Sequence, residues 1–471
     1  MTIGIECHVQ LATRTKLFSG ADNDARGAKP NSKVSPIDFG LPGMLPVLNK
    51  DAVRLAVRAG RALNSSIAPV SRFDRKHYFY PDLPKGYQIS QMYQPLVVGG
   101  YVDAPLDDGS SVRVRIHHAH MEEDAGKLTH ATDYSLVDLN RAGTPLIEIV
   151  SEPDIHSAAE AKAYAMELYR LMTYAGVTLG DLYHGNMRFD VNISVAPKDA
   201  SMLGTRAEIK NLNSFRSVER AAEYEYERQV ALLERGEKVV QETRGWNDDT
   251  QTTTSQRSKE NAQDYRYMPD PDIPPIVLSQ EDIVRLQQDM PELPGYYRER
   301  WGSLDLDRSV VDSLLARQSF AVLIATIQDE AGDPVARRVA HWFASAIVPG
   351  DEETAIVASN FAPEGFIELA RMVDASELSS TAAKEVFNEL LASSRSPRAI
   401  AEEKNLLQVS DEGAIAQIVD AVLADPTSAQ SIADIKAGKD KAIGYLVGQI
   451  MKQSKGKANP ALAQKLIRER L

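Results

Sequence analysis

Ile3-Gly4-Ile5-Glu6-Cys7-His8-Val9-Gln10 alternates apolar and polar residues, the period of a half-buried β-strand. Side chains two apart share a face, so Glu6, His8 and Gln10 line one side together. The pattern returns further along. Arg188, Asp190 and Asn192 share one strand face, and Arg206, Glu208 and Lys210 share another. Glu148 interrupts the otherwise apolar strand Leu146–Val150. A carboxylate there is costly unless it is paired or bound to a metal. Several strands therefore present mixed-charge faces. Either that sheet face is simply wet, or it lines a polar cleft.

The run His120-Met121-Glu122-Glu123-Asp124-Ala125-Gly126-Lys127 sharpens the question. Three adjacent carboxylates repel one another, so a folded site needs a cation to hold them together. A hard divalent ion such as Mg²⁺, which prefers oxygen ligands, fits that requirement. The other reading is a solvated acidic turn.

Length, composition and charge narrow the class. At 471 residues the chain is long enough for about three domains. It is 43% hydrophobic and 25% charged, as ordinary globular proteins are. No apolar run is long enough to span a membrane, and Met1–Glu6 lacks the basic and apolar regions of a signal peptide. The single cysteine, Cys7, permits no internal disulfide and fits a reducing cytoplasm. It lies in an apolar-alternating strand, which favours packing over a nucleophilic role. A net charge of −13 argues against non-specific coating of nucleic acid. Residues 431–471 nevertheless hold nine Lys or Arg against three Asp or Glu, a local balance of +6. That is either a solvated helix surface or a docking surface for a polyanion.

Three regions follow from the patterning. Residues 1–290 mix strand and helix signals. Strands are expected at Val112–Ile116, Leu146–Val150 and Arg188–Ser194. Helices are expected at Asp51–Leu63, Ala158–Ala175 and Val218–Glu234. Pro291-Glu-Leu-Pro294-Gly295 marks a boundary. Residues 295–405 read as helical, and residues 406–471 as further short helices. In the last of these regions Ile443, Leu446, Val447 and Ile450 form one stripe. The expected fold class is α+β: a large mixed-sheet cradle domain, then an all-helical domain, then a small helical tail.

A second cluster spans Arg72 to Gln91. Its cations suit phosphate oxygens and its aromatics suit stacking on a base. The chain has neither a Gly-x4-Gly-Lys-Ser/Thr loop nor a Gly-x-Gly-x-x-Gly loop. If it binds ATP, then metal ions and basic side chains such as Arg75 and Lys76 must replace a phosphate-cradling loop. Spacing alone stops at a metal-dependent phosphoryl-transfer site.

Several stretches together resemble the B subunits of bacterial tRNA-dependent amidotransferases. They are Ile3–Leu11, Phe73–Asp82, Tyr87–Gln91, His120–Lys127, Asp138–Val150, Glu208–Ser214, Asp264–Pro269 and Gly444–Pro460. The resemblance runs from the first residues to the last and is faintest over 295–370. It implies a cytoplasmic heterotrimer with an amidase-type A subunit and a small C subunit. Such an enzyme uses ATP and Mg²⁺ to activate the side-chain carboxylate of misacylated Glu-tRNA(Gln) or Asp-tRNA(Asn). Ammonia from the partner's glutamine hydrolysis then displaces the phosphate. It further implies Glu6, His8, Glu122, Glu123 and Glu148 as the metal-binding set, and Arg75 and Lys76 at nucleotide phosphates. Arg188, Asp190, Glu208 and Lys210 would line the same cradle. Lys439, Lys441, Lys452, Lys455 and Lys457 would touch tRNA phosphates. Two positions depart from the usual family pattern, Cys7 and Ala119. Two rival classes stay open: a metal-dependent phosphotransferase on another substrate, and a non-catalytic tRNA-binding scaffold.

Overall fold

The first alternation folds as β1 (Thr2–Gln10), with Ile3, Ile5, Cys7 and Val9 fully buried and the residues between them partly exposed. It lies at the centre of a ten-stranded mixed sheet. The other strands are β2 (Ser66–Ile67), β3 (Val97–Val98), β4 (Tyr101–Pro105), β5 (Ser111–Glu123), β6 (Pro145–Ser151), β7 (Met187–Ser194), β8 (Ala207–Leu212), β9 (Glu242–Asn247) and β10 (Thr252–Ser258). Their order is β10-β9-β8-β7-β1-β6-β5-β3-β2, with β4 also on β5. All of the pairings are antiparallel except β8–β9, which is parallel. The computed structural model describes residues 1–258, 264–346, 362–393, 395–408, 412–454 and 458–471.

Three helices cover the apolar face. They are α1 (Lys50–Ala62), α2 (Ala158–Tyr174) and α3 (Phe215–Glu234). Val53, Ala56, Tyr164, Leu168, Val218 and Ala222 share one buried cluster with the odd-numbered residues of β1. Each helix starts on a side-chain cap that satisfies a free backbone N–H. Asn49 accepts from the Asp51 N–H at 2.9 Å, Ser157 from Glu160 at 3.1 Å and Ser214 from Ser217 at 3.1 Å. The Ser214 cap starts α3 three residues before the expected Val218. With helices on one side only, the polar face of β1 and its neighbours is left for other use.

β5 differs most from its expected extent. Alternation suggested a strand that ends at Ile116, yet β5 runs on to Glu123. The pairing with β6 shifts register there: Ser151 faces Ile116, but Val150 faces His118. One extra residue, His117, is thereby accommodated, as in a β-bulge. The core-facing parity flips with it, from Val114 and Ile116 to Ala119 and Met121. A simple period-two reading loses the strand at that residue.

The chain divides into two compact units, Met1–Tyr296 and Tyr297–Leu471. The second is helical, with Arg308–Leu315, Gln318–Ala331, Asp333–Ala346, Pro363–Asp374 and Ser380–Ala392 among its longer elements. Further on, Glu412–Ala424, Ile443–Gln453 and Pro460–Arg470 enclose their own buried cluster around Val419, Leu446, Ile450 and Ile467. Ile443, Leu446 and Ile450 of the expected stripe are buried, and Val447 packs against them half-exposed. Among the described residues, no single helix is long and apolar enough to cross a membrane.

One glycine holds the turn that leads into β6. Gly143 has φ +82°, and a Cβ there would sit 2.7 Å from Asp38 Oδ1. Its N–H donates to the Asp124 carbonyl at 3.0 Å and its carbonyl accepts from Leu17 at 2.9 Å. Asp38 is itself buried against Lys16, at 3.3 Å. Gly143→Ala is therefore expected to destabilise the first unit by more than about 1 kcal/mol. Thermal unfolding of the variant checks this, and an unchanged midpoint would refute it.

Candidate active site

Strand register assembles the site. His120, Glu148, His8 and Arg188 stand abreast on β5, β6, β1 and β7. One pair further along, Glu6 faces Asp190, and Asn192 faces Glu208 on β8. All of them project from the face without helices. The expected polar cleft exists, with a volume of about 490 Å³, and His8, Glu122, Glu148, Asp190, Arg188 and Lys210 are among its lining. Lys76 and Tyr78 close it from the short strand Asp74–His77 and the residue after it.

Two groups in this region have metal-ligand spacing. In the first, ligand atoms of His8, Glu122 and Glu148 all lie within 4.8 Å of one another. His8 Nε2 is 3.5 Å from both Glu122 Oε1 and Glu148 Oε2. In the second, Glu6, Asp190 and Glu208 meet the same limit. An imidazole with two carboxylates suits a divalent ion, and three carboxylates suit a hard one. The second group carries a further mark of fit. Asn192 Nδ2 donates to Glu6 Oε1 at 2.9 Å, while the buried Asn192 Oδ1 has no hydrogen-bond partner. A cation beside Glu6 would supply one.

The electrostatics agree. Burial, followed by the charges of Glu148, Glu208 and Asp190, raises the Glu6 carboxyl above its usual range. Burial and neighbouring like charge both disfavour the ionised carboxylate. Lys210 offsets part of it, at 3.0 Å from Asp190 and 3.1 Å from Glu208, and Thr243 donates to Glu208 at 2.8 Å. Burial alone would lower the Lys210 pKa, but Asp190 and Glu208 outweigh it and raise it. For Glu148, burial is outweighed by the hydrogen bond and charge of His120, with His8 and Lys76 adding to them, so its carboxyl is held well below normal.

Adjacent residues on a strand point to opposite sides, and this sets two of the expected residues apart from the two groups. Glu123 does not join Glu6, His8, Glu122 and Glu148. It is buried, pairs with Lys85 and accepts from the Ile89 N–H at 2.9 Å. It belongs to the wall between β5 and the Tyr87–Ser90 strand. Arg75 likewise turns from the cleft that Lys76 lines. It pairs with Asp270 and Asp272, each at 2.7 Å, and lies 4.2 Å over the Tyr87 ring. Its charge is already matched.

Other residues matter that the pattern did not single out. His120 Nε2 lies 3.3 Å from Glu148 Oε2 and 3.8 Å from Glu122 Oε2, bracing both carboxylates. Asp124 binds Arg188 at 3.2 Å and Arg141 at 2.5 Å. Burial is outweighed there by Arg188 and then Arg141, which lower the Asp124 carboxyl. The signal for His120 was its even spacing from Glu122 beyond the bulge; Asn192 shared a strand face with Asp190. The basic tail lies in the second unit. Lys439 pairs with Asp434 at 3.1 Å, while Lys441 and Lys452 are exposed. Lys455 and Lys457 lie outside the described residues.

A histidine chain leads out from the cleft. His120 Nδ1 is 3.0 Å from His118 Nε2, and His118 Nδ1 is 2.7 Å from Nδ1 of the exposed His117. Burial, with the charges of His120 and His117, lowers His118 to about 4. For His120, burial lowers the pKa, but hydrogen bonds and charge from Glu122 and Glu148 raise it to about 10. The unfolded value is about 6.5. The depressed His118 contributes stability above that value, which is lost as pH falls through about 4. The raised His120 contributes below it, and loses that as pH rises through about 10. Metal-free protein should therefore weaken on acidification from about pH 6.5 to 4, and His118→Gln should flatten that limb. Urea unfolding at a series of pH values measures both, and an identical acid limb in the variant would reject the assignment.

Comparison with known proteins gives the ancestry. A family model described as the GatB/GatE catalytic domain matches residues 1–284, and one described as the GatB domain matches residues 323–471. The B subunit of the Aspartyl/glutamyl-tRNA(Asn/Gln) amidotransferase from Persephonella marina (strain DSM 14350 / EX-H1) is 46% identical over 100% of this chain and 98% of its own. The protein of the same name from Alkalilimnicola ehrlichii (strain ATCC BAA-1101 / DSM 17681 / MLHE-1) is 47% identical over 100% and 98%. Similarity of this extent joins the sheet and the helical unit in one lineage: the chain belongs to the GatB family of amidotransferase B subunits.

Proposed function

We propose that this chain activates and amidates the side-chain carboxylate of amino acids misacylated onto tRNA(Gln) or tRNA(Asn), within a complex that includes an amidase-type A subunit and a small C subunit. The observation that carries the chemistry is the pair of metal-ligand groups side by side on one open sheet face. The full-length likeness to amidotransferase B subunits carries the substrate class.

A carboxylate is a poor electrophile. Attack of its oxygen on the γ-phosphorus of ATP releases ADP and leaves an acyl phosphate. Ammonia then attacks the acyl carbon, phosphate departs, and the nitrogen loses a proton. Divalent ions, with Mg²⁺ as the expected species, neutralise phosphate charge when bound. His8, Glu122 and Glu148 would hold one, and Glu6, Asp190 and Glu208 another. Of the expected set Glu6, His8, Glu122, Glu123 and Glu148, the first group takes His8, Glu122 and Glu148, Glu6 goes to the second, and Glu123 is left to the wall.

The remaining residues position and screen. Lys76, Arg188 and Lys210 line the cleft as cations, so they take the phosphate-facing role in place of Arg75. His120 braces Glu122 and Glu148 from behind, as hydrogen-bonded partners of metal ligands do. Asp124, gripped by two guanidiniums, keeps Arg188 in place over the cleft.

The tail of the second unit is assigned to tRNA phosphates, through Lys439, Lys441 and Lys452 with Lys455 and Lys457. Its separate buried cluster supports treating residues 406–471 as a domain of their own, after a helical domain at 295–405 and a cradle at 1–290. Phosphate contacts position RNA without reading its sequence.

The assignments predict separable defects. Glu148→Gln should weaken divalent-ion binding, read by calorimetry, by at least about tenfold and abolish amidation. Glu123→Gln should leave that ion affinity near wild type; equal losses in both would remove the distinction. Lys441→Glu with Lys452→Glu should reduce the salt dependence of tRNA binding by a slope of about 1.8, with ion binding intact. Unchanged tRNA affinity would withdraw the tail assignment.

A further inference from the structure

A second cavity, of about 670 Å³, lies beside the metal cleft in the same unit. Its size falls within the range of small-molecule sites. Five segments build it: the end of β1 and the residues after it, the Asn23–Gly27 loop, Lys127 at the start of the Lys127–His130 strand, the Asp138–Thr144 turn and the loop before β7. Amides brace its wall in series. Asn186 Nδ2 donates to Gln10 Oε1 at 3.1 Å, Gln10 Nε2 to Asn23 Oδ1 at 3.4 Å, and Asn23 Nδ2 to the Leu11 and Thr13 carbonyls at 3.0 and 3.1 Å. The shape is thus built before any ligand arrives.

The charges of this cavity are unevenly matched. Asp24 is taken by Arg26 through two bonds of 2.8 Å. Asp138 accepts from the Asn31 and Asn140 N–H groups, both at 3.0 Å. Arg141 is committed to Asp124. Arg14 and Lys127 remain, both exposed in the wall and neither in an ion pair among the described residues. His184 also lines the cavity. Tyr183 is 83% exposed, and its ring stands edge-on to His184, with centroids 5.0 Å apart.

The wall between the two cavities is the Asp124–Arg141 ion pair: Asp124 lines the metal cleft and Arg141 lines the second cavity. A ligand that occupied both cavities would have to cross that pair. Two single, separate cations suit successive phosphodiesters, which carry one charge each. A contiguous triphosphate calls for clustered charge instead, as the first cleft has. An exposed aromatic next to the lining residue His184 suits an unpaired, unstacked base.

We infer that this second cavity receives the single-stranded terminal nucleotides of the aminoacylated RNA. Arg14 and Lys127 hold their phosphates, Tyr183 stacks on a base, and the esterified amino acid reaches over Asp124–Arg141 into the metal cleft. The inference rests on the amidation reading above and adds to it the place where the RNA end is held.

The test is steady-state amidation by the purified complex carrying Arg14→Glu with Lys127→Glu, alongside Tyr183→Ala. The double variant should raise KM for misacylated tRNA about tenfold and lower the salt dependence of tRNA binding by a slope of about 1.4, two phosphates of a single strand. Tyr183→Ala should raise the same KM by a smaller factor. KM for ATP should not move, and divalent-ion affinity should match wild type. An unchanged tRNA KM in the double variant would overturn the inference. So would a rise in KM for ATP alone, which would assign the cavity to ATP's own nucleoside. Loss of the partner subunits on gel filtration would also overturn it, by making this face a protein interface. Absence of amidation in the wild-type complex would instead strike the amidation reading itself.

Discussion

Mutual repulsion among carboxylates on one face of a sheet is the constraint on which the rest of this structure depends. Glu6, Glu122, Glu148, Asp190 and Glu208 come from five strands and converge within two adjoining groups. Such a convergence is unfavourable unless positive charge accompanies it. The protein supplies some through His120, Lys210, Arg188 and Lys76. The raised carboxyl of Glu6 and the partnerless Asn192 oxygen mark where its own supply stops.

The sheet can carry this arrangement because its two faces have divided duties. The core is built by the odd positions of β1 and their neighbours under α1, α2 and α3. The even positions are then free of packing demands. Antiparallel pairing brings residues on adjacent strands side by side, so one row holds His120, Glu148, His8 and Arg188 within reach of a common ligand. Side chains on strands are also stiffer platforms than side chains on loops. Phosphoryl transfer depends mainly on positioning and charge neutralisation, which such a platform provides without a glycine-rich phosphate loop.

Around this platform, ion pairs act as partitions as well as struts. Lys85–Glu123 closes the wall behind β5, and Arg75 is anchored by Asp270 and Asp272 outside the cleft. Asp124, between Arg141 and Arg188, stands where two cavities meet. Glu123 and Asp124 follow directly on Glu122, yet Glu123 turns to the wall and Asp124 is gripped by two guanidiniums. Neighbouring residues in one acidic run thus divide between lining the cleft and holding a wall.

Period-two alternation in Ile3–Gln10 was enough to determine a central strand with a polar face, and the shared faces of Arg188, Asp190 and Asn192 and of Glu208 and Lys210 were equally legible. So were the three covering helices, the helical second half and the family itself. Those features depend on local periodicity and on long motif runs, which a chain displays along its length. The division of the acidic run was not legible. Whether Glu122 or Glu123 enters the cleft depends on face parity, and the extra residue at His117 resets that parity only when β5 pairs with β6. The pairing of Arg75 was not legible either: its partners, Asp270 and Asp272, lie 195 and 197 positions away. Register and long-range charge pairing arise from strands meeting in space, so only the tertiary structure could decide which side chains meet in the cleft.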